Sequence, residues 1–320
     1  MQTRILKFLI SQSILIVCIL LFVVSSLVSD VFLTPGNLSN IAKQIVPLAM
    51  VSFGMLVVIL TGGIDLSVGS IMAVASVFFG VFFHTYGVGF GPSVAVGLLA
   101  AAAMGLISGT AIAVFALPPF VATLAVMTIA RGVAFIYSGG YSQLIFNDTL
   151  EFVGSGQVLG VPVIVVIGSG FFLFFLYMQR RSSFARILKA IGSNEAAVHL
   201  SGIRVAPYKL AAYVISGVMA GVAGILVTAR TSNMAPNMGE AWELDAIAAV
   251  VIGGASLSGG RGRVFEVLLG VIILGLLRNI LNLMNVPGFY QLVIKGAIII
   301  LAVLIYSGQL QAVLRQLRRH

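Results

Sequence analysis

The pattern that decides the fold lies in residues 41–84, IAKQIVPLAMVSFGMLVVILTGGIDLSVGSIMAVASVFFGVFFH. Two apolar runs, 41–61 and 67–84, flank a short polar break that contains Asp65. The first run is long enough for a helix that crosses a membrane, and the second is barely long enough. The glycines before Asp65 can end one helix by adopting left-handed backbone, and Asp65 can cap the next. The segment therefore predicts two membrane helices joined by a tight polar break.

The whole chain has the composition of a membrane protein. Of its 320 residues, 60% are apolar and 8% are charged, whereas about 25% are charged in a soluble domain. A soluble protein of this size needs more polar surface, which excludes soluble enzymes, nucleic-acid-binding proteins and disordered proteins. At about 20 residues per span, the chain has room for about ten helices. We predict an all-α polytopic membrane protein, formed by one transmembrane domain over residues 1–320.

The apolar runs predict ten spans, with short or broken helices around a central path. The candidate spans are 5–29, 41–61, 67–84, 92–116, 119–138, 161–178, 208–230, 242–256, 263–284 and 289–306. The run 5–29 is interpreted as an uncleaved first helix, because it is longer than the apolar core of a signal peptide. The short spans 67–84 and 242–256 are typical of broken or re-entrant helices that line a path. The alternative is a short helix in a locally thinned bilayer.

The basic residues predict the orientation of the chain. The net charge is +9, and 13 of the 18 basic residues fall on one side of the predicted spans, as the positive-inside rule requires. These are Arg4, Lys7, Arg180, Arg181, Arg186, Lys189, Arg204, Lys209, Arg261, Arg263, Arg315, Arg318 and Arg319. The loop 139–160 contains Asp148 and Glu151 and no basic residue, as expected outside. We expect both termini in the cytoplasm, anionic lipid as the partner of the charge, and no nucleic acid.

The polar break at residues 62–69 has a second copy at residues 253–260. Both read Gly-Gly-x-x-Leu-Ser-x-Gly, and internal repeats are common in transporters. The predicted spans make the repeat parallel, and one miscounted span would make it inverted. In the second copy Ser256 stands where Asp65 stands in the first, so either residue can cap the helix that follows it.

The acidic residues inside or beside the apolar runs have two interpretations. Asp65 is either a structural cap or part of a solute path, since carboxylates at this depth are rare. Glu240, Glu243 and Asp245 cluster with Trp242 at the predicted outer end of the eighth span. These residues could meet a docking protein or a polyhydroxylated ligand, or could be an interfacial aromatic with solvated acids. We interpret Trp242 as interfacial and leave the role of Asp245 open.

The predicted cytosolic loop, residues 180–208, contains two short helices. The first ends at Gly192, Ser193 or Asn194 caps the second, and the second stops near Gly202. Ile187, Leu188 and Ile191 share one face of the first helix, while Ala197, Leu200 and Ile203 line the second. Such helices dock into the groove of a partner or lie on the membrane surface, and spacing alone does not decide. His199 is predicted to be solvated.

The chain lacks the motifs of an enzyme. No glycine directly precedes any of the five lysines, so there is no P-loop. One cysteine, Cys18, and three scattered histidines make neither a disulfide framework nor a metal cluster. We predict no catalytic residue, cofactor or metal in this chain, and any ATPase that drives transport must be another protein.

Four stretches, in order along the chain, resemble the permease subunits of monosaccharide-type (ribose-like) ABC importers, a branch of the binding-protein-dependent transport inner-membrane family. They are ILTGGIDLSVGS (59–70), AIGSNEAA (190–197), LDAIAAVVIGGASL (244–257) and GGRG (259–262). The resemblance implies a pair of permease subunits, an ATPase with two fused nucleotide-binding domains that carries ATP and Mg, and an external sugar-binding protein. It also implies that residues 184–203 couple the permease to the ATPase.

The resemblance provides two sets of candidate site residues. The coupling set is Arg186, Gly192, Asn194, Glu195, Ala196, Ala197 and Gly202. The set for helix breaks or the translocation path is Gly62, Gly63, Asp65, Ser67, Asp245, Gly253, Gly254 and Ser256. The resemblance assigns no sugar contact to either aspartate.

The expected function is ATP-driven import of a monosaccharide, ribose or a related pentose, across a bacterial inner membrane. The alternatives are an ion-coupled secondary transporter of a small polar solute, with Asp65 as coupling acid, and a passive channel.

Overall fold

The computed structural model describes residues 13–306 and is almost entirely helical within that range. The α-helices are α1 (Ser13–Val28), α2 (Pro35–Ile59), α3 (Val68–Gly80), α4 (Phe90–Ala113), α5 (Pro119–Tyr137), α6 (Asp148–Ser155), α7 (Val163–Arg181), α8 (Ser183–Ser193), α9 (Glu195–Leu200), α10 (Ala206–Thr231), α11 (Trp242–Ile252), α12 (Val264–Leu283) and α13 (Gly288–Tyr306). A π-helical turn, Val81–Thr85, extends α3. Residues 5–12 of the first predicted span, and both chain ends, lie outside the described residues.

Each of the ten predicted spans overlaps a helix in the described residues. Within residues 13–306, seven helices have the length and hydropathy of a membrane span. They are α2, α3 with its π-helical turn, α4, α5, α7, α10 and α12. The described part of α1 is a shorter apolar helix. The count of ten spans therefore stays a prediction, as does the internal repeat.

Helix α11 is the shortest helix within a predicted span. The run 242–256 was expected to form a short or broken helix, and the helix ends at Ile252 after 11 residues. At 1.5 Å per residue it is about 16 Å long, about half the thickness of the hydrocarbon core. Gly254 then takes a left-handed φ of 75°, so the apolar residues after it do not continue the helix.

Helix α10 is the centre of the bundle and packs against α2, α3 and α4. Its residues from Ala212 to Ala229 are mostly buried, and glycines bring the neighbouring backbones close. A Cβ at Gly217 would lie 3.1 Å from the Cα of Gly105 in α4, and a Cβ at Gly54 of α2 would lie 3.0 Å from the Cα of Ser216. Small residues at crossings are how membrane helices maximise packing without a hydrophobic driving force.

Four short strands lie between the helices. β2 (Gln157–Val158) and β3 (Val161–Pro162) form an antiparallel hairpin. β1 (Gln143–Leu144) pairs antiparallel with β4 (Asn233–Met234), which follows α10 directly. This pairing ties the acidic loop 139–160 to the end of α10, so both lie on one side of the bundle, as the predicted orientation requires.

Candidate functional site

Asp65 is completely buried at the start of α3. Its Oδ1 accepts hydrogen bonds from the backbone N–H of Ser67 at 3.0 Å and from the Ser67 hydroxyl at 2.5 Å. Its Oδ2 accepts one from the hydroxyl of Ser216 in α10, at 2.8 Å. Because α3 begins at Val68, the carboxylate satisfies an N–H at the helix start and also ties α3 to α10.

The glycines before Asp65 make room for this arrangement. Gly62 has a φ of 82°, and its N–H donates to the carbonyl of Ile59 at 2.9 Å, which closes the end of α2. The hydroxyl of Tyr213, which is buried in α10, fills the space that a Cβ at Gly63 would need. A larger residue at Gly62 would be strained by the left-handed φ, and one at Gly63 would have to displace Tyr213.

The two copies of the Gly-Gly pattern meet each other and the end of α8. The N–H of Gly260 donates to the carbonyl of Leu60 at 3.1 Å. A Cβ at Gly259 would lie 2.8 Å from the Cα of Gly192 and 2.9 Å from the N of Gly62. Gly259 and Gly260 both have left-handed φ, of 92° and 74°. We call Gly62, Gly192, Gly259 and Gly260 the glycine cluster, and it joins three segments that are far apart in sequence.

The second copy differs from the first at the helix that follows it. Gly253 packs so closely on α12 that a Cβ there would lie 2.7 Å from the Cα of Val267. Ser256 was predicted to cap this helix, and the prediction is wrong, since its hydroxyl pairs with Ser258 at 2.7 Å. The N–H of Val264 at the start of α12 donates instead to Oε1 of Gln179 in α7, at 3.0 Å. A longer loop in this copy moves the helix start beyond the reach of Ser256.

The two helices predicted in the cytosolic loop are confirmed as α8 and α9. Asn194 is the cap, because its side chain accepts from the N–H of Ala197 at 3.0 Å. Gly202, with a φ of 81°, lies just beyond the end of α9. Glu195 forms an ion pair with Lys209 at the start of α10, with Nζ and Oε2 2.6 Å apart.

The apolar face of α8 is buried within the bundle, whereas that of α9 is exposed. Leu188 and Ile191 of α8 are buried, and α8 contacts α2, α7 and α10. In α9 the predicted apolar face is exposed, with Ala197 exposed and Leu200 88% exposed, while Val198 is buried. The apolar surface of α9 is therefore uncovered by described residues. Arg186 of α8 and His199 of α9 are exposed too, as predicted for His199.

The described charges around α8 connect it to α12. Lys189 is half-buried, and burial lowers the pKa of its amino group, with the nearby Arg263 acting in the same direction and Glu266 opposing it. Arg263 and Glu266 form an ion pair at the start of α12, at 2.9 Å. A movement of α8 therefore changes the electrostatic surroundings of α12.

Two of the charged residues inside the helices that the sequence analysis missed have defined partners. Arg131 of α5 donates to the carbonyls of Pro236 at 2.6 Å and Met238 at 2.9 Å. Lys295 of α13 forms an ion pair with Asp245 of α11, with Nζ and Oδ1 2.7 Å apart. The available signal was a lone cation inside each apolar run, because such residues are rare and need a partner.

A bundle of apolar helices with a half-length helix, glycine-broken starts and paired charges inside defines a multi-pass membrane transport protein. The model of the family described as "Branched-chain amino acid transport system / permease component" matches residues 37–303, and the chain belongs to that family.

The curated relatives include sugar permeases. The chain is 41% identical over 290 residues to the ribose import permease protein RbsC of Bacillus subtilis strain 168, covering 89% of each protein. It is 41% identical over 305 residues to RbsC of Escherichia coli strain K12, covering 93% of this chain and 94% of the relative. It is 35% identical over 294 residues to the L-arabinose ABC transporter permease protein AraH of Azospirillum brasilense, covering 92% and 86%. No solved structure matches the chain at a significant level.

Proposed function

We propose that this chain is the membrane-spanning permease subunit of an ATP-driven ABC importer for a monosaccharide, ribose or a related pentose. The observation that carries the proposal is 41% identity to two ribose import permeases over about nine-tenths of the chain. The similarity to an arabinose permease supports a pentose. The chain is a transporter subunit and not an enzyme, so the hydrolysis of ATP belongs to a partner.

The proposed partners are a cytosolic ATPase with two nucleotide-binding domains, an external sugar-binding protein and a second copy of the permease. ATP and Mg would bind to the ATPase, since this sequence has no P-loop. The exposed apolar positions Ala196, Ala197 and Leu200 of α9 support a protein contact at this point. Lipid would cover the apolar side chains that α5 and α7 expose.

We propose that the chain forms one domain with ten spans, both termini in the cytoplasm, and a coupling loop over residues 180–208. On this arrangement the glycine cluster lies at the cytoplasmic end of the bundle. A Cβ at Gly192 would lie within 2.9 Å of backbone atoms of Leu60, Gly259 and Gly260. A movement of α8 and α9 therefore acts directly on the backbone just before the first Gly-Gly copy and within the second. ATP-driven closure of the partner domains would then rock the membrane helices around the central path.

The test of this function is affinity purification of the tagged full chain from its native membranes, followed by transport measurements. We expect an ATPase with Walker motifs to co-purify. Reconstituted with the ATPase and the binding protein, the complex should take up ribose only when ATP is supplied on the cytoplasmic side. If the chain purifies without an ATPase and moves sugar in liposomes with an ion gradient alone, the proposal is wrong.

The coupling loop has its own prediction. Glu195→Arg and Ala197→Trp should each lower ATP-dependent sugar uptake at least tenfold, with an unchanged amount of permease in the membrane. Both positions are exposed, and an exposed ion pair such as Glu195–Lys209 contributes about 0–1 kcal/mol to stability, so folding should survive. Glu151→Arg is the matched control, because Glu151 is an exposed acid in the first turn of the short helix α6 on the opposite side. Normal uptake in both loop variants would contradict the coupling role.

A further inference from the structure

A polar cavity of about 190 Å³ lies between α2, α11, α12 and α13. Its polar and aromatic lining is Gln44, Trp242, Asp245, Arg278, Gln291 and Lys295, and the rest of the wall is aliphatic or glycine. Pockets for small molecules have this character, with an apolar wall and a few polar groups that fix orientation. Trp242 therefore lines a cavity, and its interpretation as an interfacial residue stays a prediction.

The charges of this cavity lie well inside their helices. Lys295 is seven residues from Gly288, the start of α13, which is about 10 Å along the axis. Arg278 is five residues before Leu283, the end of α12, which is about 8 Å. Ionisable side chains at such depth are costly, and they mark sites where a solute or ion passes.

The hydrogen-bonding capacity of the cavity is only partly used. Asp245 and Lys295 pair with each other. Arg278 and Gln44 line the cavity, and neither side chain has a hydrogen bond or ion pair to any residue of the described range 13–306. Arg278 is exposed and Gln44 is half-buried, so the five N–H donors of the guanidinium and the donors and acceptor of the amide are available to a polar occupant of the cavity.

From this arrangement we propose that the cavity binds the transported monosaccharide through adjacent hydroxyl groups, an inference that rests on the proposed function. Each sugar hydroxyl both donates and accepts, so it can bridge the acceptor Asp245 and the donors Arg278 and Lys295. The indole of Trp242 offers an apolar face to the C–H groups of the ring. A phosphate or carboxylate oxygen can accept from Arg278 but has no hydrogen to donate to Asp245, so it uses only part of the lining.

The single tryptophan of the chain makes the proposal directly measurable. Because Trp242 is the only tryptophan, its intrinsic fluorescence reports on this cavity alone. Titration of the purified full chain in detergent with D-ribose should give a saturable change in that fluorescence. Glycerol 3-phosphate, which has the chemistry of a phospholipid headgroup, should give none at the same concentrations.

Two variants and a control test the role of Asp245 and Lys295 in ribose binding. Asp245→Asn should weaken ribose binding at least tenfold, as expected for loss of a charged hydrogen-bond partner. The double variant Asp245→Asn, Lys295→Met removes both charges of the ion pair and leaves neither one buried without a partner. If the single variant does not fold, the double variant should fold and show the same weakened ribose binding. Glu266→Gln, which breaks an exposed ion pair at the other end of α12, should leave binding unchanged.

The remaining outcomes overturn the proposal. Absence of a saturable ribose signal, equal ribose affinity in the Asp245 variants, or tighter binding of glycerol 3-phosphate than ribose would each do so, the last by indicating a lipid site. Co-purification of the ATPase and ATP-dependent uptake do not depend on the fluorescence signal. A failure of the cavity proposal is therefore distinguishable from a failure of the proposed function.

Discussion

Gly192→Ala should abolish most ATP-dependent uptake and lower the thermal stability of the permease. The added Cβ would meet the carbonyl of Leu60 and lie 2.5 Å from the N of Gly260 and 2.9 Å from the Cα of Gly259. These are backbone atoms, so two segments must move apart. Overpacking of this kind costs about 1–3 kcal/mol, and the displacement separates α8 from both Gly-Gly copies. Uptake in proteoliposomes and the unfolding temperature in detergent measure the two effects.

The control for this substitution is Gly170→Ala in α7. Gly170 is also helical, but a Cβ there meets no atom within 4 Å. Without a clash, alanine favours a helix over glycine by about 0.5–1 kcal/mol, so this variant should be as active and as stable as the wild type or slightly more stable. A Gly192→Ala variant that matched this control in both measurements would show that the close contact at the glycine cluster has no role.

Asp65→Ala should destabilise the permease severely, by about 2–4 kcal/mol, since it removes three hydrogen bonds to a buried carboxylate. The loss also leaves the N–H at the start of α3 and the hydroxyl of Ser216 without acceptors. The measurement is the amount of folded permease and its unfolding temperature in detergent. Asp148→Ala, which removes an exposed acid at the start of α6, should change neither.

The variant Asp65→Asn distinguishes between two roles of Asp65, as a structural helix cap and as the coupling acid of an ion-driven transporter. The asparagine Oδ1 can still accept from the N–H and hydroxyl of Ser67, and the hydroxyl of Ser216 can accept from its amide. We therefore expect a folded permease that retains at least a third of wild-type uptake. An ion-coupled transporter that uses Asp65 would instead lose its ion dependence with this variant, so a folded but inactive Asp65→Asn protein would favour that alternative.

The helices were predictable because their signals are local. Apolar runs and capping residues placed every described helix longer than 15 residues within a few positions, and Asn194 and Gly202 placed α9. The end of α11 was predictable only to within a few positions, because the pair Gly253–Gly254 that ends the helix lies inside the predicted run 242–256. The left-handed backbone at Gly254 decides the helix end.

The contacts that build the candidate site were not predictable in the same way. Gly62, Gly192 and Gly259 carry no side chain, so nothing in the sequence indicates that they touch across more than 60 residues. The pair Asp245–Lys295 joins two helices through residues 50 positions apart, and the sequence left the role of Asp245 open and gave Lys295 no partner. The burial of Val198 beside the exposed Leu200 was not predictable either, because six residues are too few for helical periodicity to fix which side of α9 is buried.

The contact of Arg131 has a consequence for the synthesis of the protein and its insertion into the membrane. Its acceptors, Pro236 and Met238, lie 105 and 107 residues later in the chain. At about 5–20 residues per second, the ribosome needs roughly 5–20 s to synthesise that stretch. During this interval the nascent helix must enter the bilayer with a lone guanidinium, against an insertion cost of about 2.5–3.5 kcal/mol. If α5 stays beside the translocon until the segment with Pro236 and Met238 has been synthesised, the guanidinium of Arg131 does not have to enter lipid without acceptors. The order of synthesis therefore affects how the final contact of Arg131 forms.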